Sequence, residues 1–351
     1  MRAALSRADR TGIASVAGLH DNCIMAPELV DRFRADLERL ACGEGVVALA
    51  VSGGADSLAL LLLAAAARPD RVAAATVDHG LRTEAAEEAA YVASLCARLG
   101  CPHATLRVQV APGGAGVQGE ARQARYDALA GWARDVGAVA LATAHHSDDQ
   151  AETVLMRLMR GAGARGLAGI RPRRDDLGVP LIRPLLGWGR SELQEVVVAA
   201  GLSAIDDPSN HDPRYDRTRA RRLLALHPEL DPARLSRSAA ALCEADEALE
   251  WSVAALAAER VRPAPAGYVV DPRHLPRELR RRLLAEGLKR VRHGTAPMRG
   301  LDRLLDALDG GGSGTLAGVA AASDEGTWML RPAPPRRGED RGAAGRTSRD
   351  D

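Results

Sequence analysis

A few short clusters hold most of the groups in this chain that could do chemistry. The first is Ser-Gly-Gly-Ala-Asp-Ser at 52–57. Gly53 and Gly54 leave bare backbone N–H groups beside whatever approaches, Ser52 and Ser57 add hydroxyls, and Asp56 adds a carboxylate. Backbone donors ahead of a helix favour an anion, phosphate above all. Asp78 and His79 form a second cluster, and Arg122 and Arg125 a third. The fourth is His-His-Ser-Asp-Asp-Gln-Ala-Glu at 145–152, where Asp149 and Glu152 stand three apart at an expected helix start, so both carboxylates can face one pocket. Each has a plain structural alternative. The hexapeptide could be an ordinary strand–turn–helix connection, His79 a core-capping histidine, Arg122 a helix-surface arginine, and the acids compensation for a helix dipole.

The elements around these clusters decide between the two readings. Residues 46–51 form a short continuous apolar run, the pattern of a strand covered on both faces. Further strands are expected at 72–77, 104–110 and 138–143, with helices at 58–67, 84–99 and 120–136. Asp56 or Ser57 is placed to cap the first of these helices. Alternation of this kind predicts a parallel sheet with crossover helices, which binds ligands beyond the carboxyl ends of its strands. The clusters at 52–57, 78–82 and 145–150 all fall at such ends.

Composition removes several classes. A chain of 351 residues is long enough for two domains. No apolar run reaches spanning length, so no membrane role is expected. The first two dozen residues lack the continuous apolar core of a secretory signal. Cys23, Cys42, Cys96, Cys101 and Cys243 include no C-x-x-C pair, which points to reduced thiols in the cytoplasm. Lys289 is the single lysine, so there is no Gly-Lys-Ser/Thr step and no Walker A loop. Phosphate must therefore be held by backbone, hydroxyl and metal.

Past Arg222 the character changes to helical periodicity without strand alternation, at 223–251 and 279–308. Between Arg260 and Arg303, 12 basic residues face 4 acids despite a net charge of +1 for the chain. A basic helical module beside a nucleotide-binding domain points to a large polyanionic partner; the alternative is a solvated arginine-rich face. The expected organisation is a non-conforming extension at 1–24, an α/β catalytic domain at 25–225, a smaller mainly helical domain at 226–335 and a disordered tail at 336–351.

With these clusters in order, the sequence resembles the tRNA(Ile)-lysidine synthetases of the PP-loop ATP pyrophosphatase superfamily. The match is carried by Ser-Gly-Gly-Ala-Asp-Ser at 52–57, Asp-His-Gly-Leu-Arg at 78–82, Glu-Ala-Arg-Gln-Ala-Arg-Tyr at 120–126 and Ala-His-His-Ser-Asp-Asp-Gln-Ala-Glu-Thr at 144–153. Arg-Gly-Ala-Gly-Ala-Arg-Gly-Leu-Ala-Gly at 160–169, Arg-Pro-Leu-Leu at 183–186 and Asp-Pro-Ser-Asn at 207–210 complete it. The resemblance implies a three-layer, parallel-sheet PP-loop domain. It also implies ATP and Mg²⁺, and replacement of the 2-oxo group of the first anticodon cytidine, in an isoleucine tRNA bearing CAU, by free L-lysine. ATP then falls to Ser52, Gly53, Gly54, Ala55, Asp56, Ser57, Asp78 and His79, and the metal to Asp56. Arg125 and His145 would supply fixed charge to the α-phosphate or activated base. Asp149 and Glu152 would take the lysine, and Arg122, Asn210, Arg217, Arg221, Arg281 and Arg282 the tRNA.

The chain departs from the family pattern at Thr218, where an Asn is usual. It resembles the shorter members without a further C-terminal domain, Met25 is an alternative start, and a homodimer is left open. A PP-loop tRNA thiolase is disfavoured by the missing C-x-x-C. A catalytically inactive tRNA-binding module is disfavoured by the intact clusters.

Overall fold

The structure is a computed structural model that describes residues 25–40, 43–78, 84–108, 117–205, 216–292, 294 and 299–334. His79, Asn210, the extension at 1–24 and the tail at 336–351 lie outside the described residues. The described chain forms two compact units, divided after Cys243.

The first unit is built on a six-stranded sheet in the order β3-β2-β1-β4-β6-β5. Its strands are β1 (Val47–Ala50), β2 (Val72–Asp78), β3 (His103–Arg107), β4 (Ala140–Ala142), β5 (Arg173–Arg174) and β6 (Leu181–Ile182). All pairs are parallel except β5 with β6. The expected strands therefore form, trimmed at their ends. Two short strands join them that sequence periodicity cannot register. The helices are α1 (Pro27–Leu40), α2 (Ala55–Ala67), α3 (Glu84–Arg98), α4 (Val117–Asp135), α5 (Ser147–Leu158), α6 (Ala164–Leu167), α7 (Arg190–Ala199) and α8 (Asp216–Leu226).

Helix α2 is apolar on every side, and Leu58 to Ala64 are fully buried. A helix of that pattern must be covered all round, and α1 and α7 pack against it as well as the sheet. The helix that holds the first cluster is thus clamped along its length. Chain order reverses between β1 and β4, and loops leaving the carboxyl ends of strands at such a switch point are where parallel sheets bind ligands. The clusters at 52–57 and 145–150 leave those two strands.

Helix α9 (Pro232–Arg260) contains the division between the units. The sequence boundary at 225–226 instead falls at the end of α8, where the helical pattern breaks. The second unit departs from the mainly helical expectation. Helices α10 (Arg277–Arg292) and α11 (Leu301–Asp309) pack on a five-stranded antiparallel sheet. Its strands are β7 (Val261–Ala264), β8 (Gly267–Val270), β9 (Ser313–Leu316), β10 (Val319–Asp324) and β11 (Thr327–Pro332), in the order β7-β8-β11-β10-β9. The expected helix at 279–308 is two helices with a break between them. Tight two-residue turns make the hairpins. Glu325 and Gly326 both have positive φ (44° and 78°), as do Ala317 and Gly318 (50° and 79°), the geometry that suits the twist of paired strands.

Candidate active site

The loop after β1 turns at Gly53, whose φ is +87°. Its carbonyl accepts the Ile205 N–H at 3.0 Å. A Cβ at Gly53 would lie 2.6 Å from the Ile205 side chain, so both conformation and space call for glycine. The cap of α2 is Gly54, with no side-chain cap, which corrects the expectation that Asp56 or Ser57 caps it. The Ser57 hydroxyl instead donates to the Gly54 carbonyl at 2.9 Å and accepts the Ser52 N–H at 3.1 Å. The Ser52 hydroxyl lies 3.3 Å from it. These hydroxyls brace the loop, and the first-turn N–H groups, Ala55 onward, are left without a side-chain acceptor, the arrangement that receives a phosphate. Asp56 stands in that first turn, and Asp78 ends β2.

Sequence reasoning singled out His145 and passed over His146, which is fully buried. Its Nε2 lies 3.3 Å from an Asp56 carboxylate oxygen and 3.6 Å from one of Asp149, close enough for ion pairs but without hydrogen-bond alignment. In the neutral ring, Nδ1 accepts the Asp148 N–H at 3.2 Å while the His146 N–H donates to Asp149 at 3.2 Å, capping α5 reciprocally. Burial lowers the imidazole pKa, but Asp148, Asp56 and Asp149 outweigh it and raise the value to about 9. The added proton would face Asp148 Oδ2 at 3.5 Å. The available signal was spacing: a histidine at the cap position with an acid three residues on.

His145 behaves oppositely. Burial first, then the charges of Arg183, Arg217, Arg122 and Arg125, hold its pKa well below 6.5. Its ring hydrogen-bonds Thr143 Oγ1 through Nδ1 at 2.9 Å. It is neutral at pH 7, which corrects its expected role as a fixed charge. Arg122 and Arg125 both stand over the Tyr126 ring, 5.4 and 5.6 Å from its centroid, so their i, i+3 spacing does aim them alike.

Asp149 and Glu152 share one pocket, and arginines fill it. Arg217 donates to Glu152 Oε2 and to Asp149 Oδ1, each at 2.7 Å. Arg221 donates to Glu152 Oε1 at 2.8 Å. Glu152 is 1% exposed, and a buried carboxylate has to be paired. The assignment of Arg217 and Arg221 to tRNA phosphates is therefore corrected: α8 turns both inward onto α5. Beside them a cavity of about 250 Å³ is lined by His145, Arg122, Arg157, Met156 and Ile170 among others. Its wall is held by two residues without an assigned role in the sequence reading. Gln150 exchanges bonds with both backbone groups of Ile170 (3.1 and 2.6 Å). Arg157 donates to the carbonyls of Gly166 and Gly169 (2.7 and 2.8 Å).

In the second unit, Arg282 is 6% exposed and donates to Asp246 at 2.5 Å and to Glu250 and Glu278 at 2.8 Å each. It is a structural ion group, which corrects its assignment to tRNA. Arg281 is held by Asp302 at 2.8 Å and by Glu278.

No cluster of three or more His, Cys, Asp or Glu among the described residues is built to cage a metal ion. Asp56 nonetheless fits Mg²⁺, which uses one or two carboxylates and completes its shell with substrate phosphates.

Parallel sheet, switch point, glycine loop and uncapped helix together define a PP-loop ATP-binding domain, and the PP-loop domain family matches residues 28–229. The fold also resembles a U34-tRNA thiolase from Methanococcus maripaludis, at TM-score 0.50 and 19% identity over 62% of this chain and 79% of that one. Closer relatives are named tRNA(Ile)-lysidine synthase. The one from Novosphingobium aromaticivorans is 50% identical over 88% of this chain and 95% of its own. The one from Zymomonas mobilis is 44% identical over 84% and 90%. The chain belongs to the tRNA(Ile)-lysidine synthase family, ATP-dependent PP-loop ligases.

Proposed function

We propose that this protein joins free L-lysine to C2 of the cytidine at the first anticodon position of a CAU-bearing isoleucine tRNA, consuming ATP. The reading rests on one observation above others: an acid pair suited to an ammonium group sits beside the phosphate loop. His146 links the two, its Nε2 lying 3.3 Å from Asp56 and 3.6 Å from Asp149.

In the first step the cytidine O2 attacks the α-phosphorus and the bond to the β-phosphate breaks. Pyrophosphate leaves against the α2 N-terminus, where fixed N–H dipoles meet its growing charge. Asp56 would hold Mg²⁺, which would supply neutralisation of phosphate charge. The target base enters the cavity beside His145, whose neutral ring can hydrogen-bond it without adding charge, between Met156 and Ile170; enzymes that act on a base read it in such a pocket. In the second step the lysine amine attacks C2 and the C2–O bond breaks, so the oxygen leaves with AMP. The amine loses a proton as it attacks. Asp149 is the acceptor, because its side chain keeps 15% exposure and a single arginine contact, whereas Glu152, at 1%, takes arginine N–H groups on both oxygens. A guanidinium spans both acids in the structure, so lysine entry requires Arg217 to release Asp149.

No described helix is long and apolar enough to cross a membrane, and a cytoplasmic location follows from the tRNA substrate. The test is incorporation of radiolabelled lysine into total tRNA. ATP-dependent labelling is expected, and Asp56→Asn is expected to retain less than about a tenth of the turnover, a loss above about 1.4 kcal/mol. No labelling by the wild-type protein would refute the function. Near-normal labelling by the variant would remove the metal from Asp56.

A further inference from the structure

The arginine-rich second unit has fewer free cations than its sequence promises. On α10, Arg277 pairs with Asp306, Arg280 with Asp309, Arg281 with Asp302 and Glu278, and Arg290 with Glu286. Arg282 is buried among three acids. A compensated helix face offers little to a polyanion, so contact with one has to be sought elsewhere on the unit.

The sheet has two faces, and α10 and α11 cover one of them. Val270, Trp328, Leu330, Val319 and Ala321 point into the core with Leu283, Leu288, Leu304 and Leu308. Side chains alternate along strands, so the other face carries the intervening residues. Strand register places Arg262, Val269, Met329, Ala322 and Ser313 in one row across it. Arg331, Ala320 and Thr315 stand in the next row. Arg262 and Arg331 are exposed, and neither is paired with an acid among the described residues. Two inter-strand spacings and one two-residue repeat separate them, roughly 12 Å by strand geometry. Among the described residues two acids fall on this face: Asp324 at the hairpin end, and Asp271 just past β8, which is already paired with Arg273.

We propose that this uncovered sheet face is a docking surface for the phosphodiester backbone of tRNA, held at two points by Arg262 and Arg331. The proposal rests on the functional reading above, which makes tRNA the substrate. Exposed guanidiniums bind phosphate bidentately. The small residues between them, Ala320, Ala322, Ser313 and Thr315, let a bulky backbone approach closely. Among the described residues the face carries no exposed aromatic anchor, which a protein partner would need for tight binding, whereas recognition of folded RNA by shape and backbone needs none.

The experiment measures the Kd for transcribed isoleucine tRNA against salt. It compares wild type, Arg262→Gln/Arg331→Gln, Arg262→Lys/Arg331→Lys and, on the helix side, Arg299→Gln/Arg303→Gln. Each lost phosphate contact flattens the logarithmic salt slope by about one. The Gln pair on the sheet is expected to lower the slope by about two and weaken binding, the Lys pair to keep most of the slope, and the helix-side pair to leave it unchanged. A wild-type slope in the folded sheet variant would overturn the proposal, as would flattening by the helix-side pair alone. If wild type makes lysidine while the sheet variant keeps the full slope, only the docking face falls. If wild type binds no tRNA, the functional reading falls with it.

Discussion

Asp149 and Glu152 stand three residues apart and look equivalent in the sequence, yet their surroundings divide the work between them. Glu152 is sealed at 1% exposure beneath Arg217 and Arg221, which makes it the anchor of α8. Asp149 keeps partial access, 15% for its side chain, and makes one arginine contact. Replacing Asp149 with Asn is therefore expected to raise the KM for lysine at least tenfold and that for ATP much less. Steady-state titration of both substrates checks this, and equal losses would move Asp149 to the metal or the phosphates. Glu152→Gln is the poorer probe, because it leaves two guanidiniums facing an uncharged amide.

The charge on His146 links the start of α5 to the acids around it, Asp148, Asp56 and Asp149. The folded His146 value, about 9, lies above the value of about 6.5 for an unfolded histidine. The charged ring therefore contributes stability that is fully present below about pH 6.5 and is lost as pH rises through about 9. Asp148 runs the other way. Burial raises its pKa, but His146 and the Arg190 N–H bring it down to about 2, so its contribution is present at neutral pH and lost as pH falls toward 2. For metal-free protein, unfolding free energy is expected to fall by on the order of 3 kcal/mol between pH 6.5 and 9. His146→Asn should flatten that decline and also weaken the acid limb, since His146 is the largest influence that lowers the Asp148 value. Denaturation at stepped pH reads both, and an unchanged alkaline slope in the variant would show that another group is responsible.

Each unit of the molecule has its own core, and the second is organised around a buried charge. Arg282, packed among Asp246, Glu250 and Glu278, ties α9 to α10 over a sheet whose core includes Trp328 and Leu330. Removing one partner of a buried pair costs about 3–5 kcal/mol, because the other charge is stranded, whereas replacing both with apolar groups is often neutral. Arg282→Met should lower the unfolding free energy by that amount, and adding Asp246→Leu should recover much of it. Thermal and urea unfolding of the single and double variants measure this. No recovery in the double variant would mean that the acids at 250 and 278 dominate.

The parallel sheet, its order of alternation and the position of the phosphate loop were legible in the sequence. Buried strands such as 47–50 have to be continuously apolar, and glycines at 53 and 54 have to precede a helix that an anion can reach. Side-chain spacing likewise put Asp149 and Glu152 on one pocket and aimed Arg122 and Arg125 together, because helical period acts over three or four residues. Only tertiary contact decided which charges meet. Arg217 lies 65 residues from Glu152, and Arg282 lies 36 from Asp246. No local pattern distinguishes such an arginine from one exposed to an RNA backbone. The strands of the second unit escaped for a related reason: they are short, rich in alanine and glycine, and stabilised by pairing with one another rather than by any period of their own. His146 escaped because its chemistry depends on Asp56, which the fold brings to it from the first turn of α2.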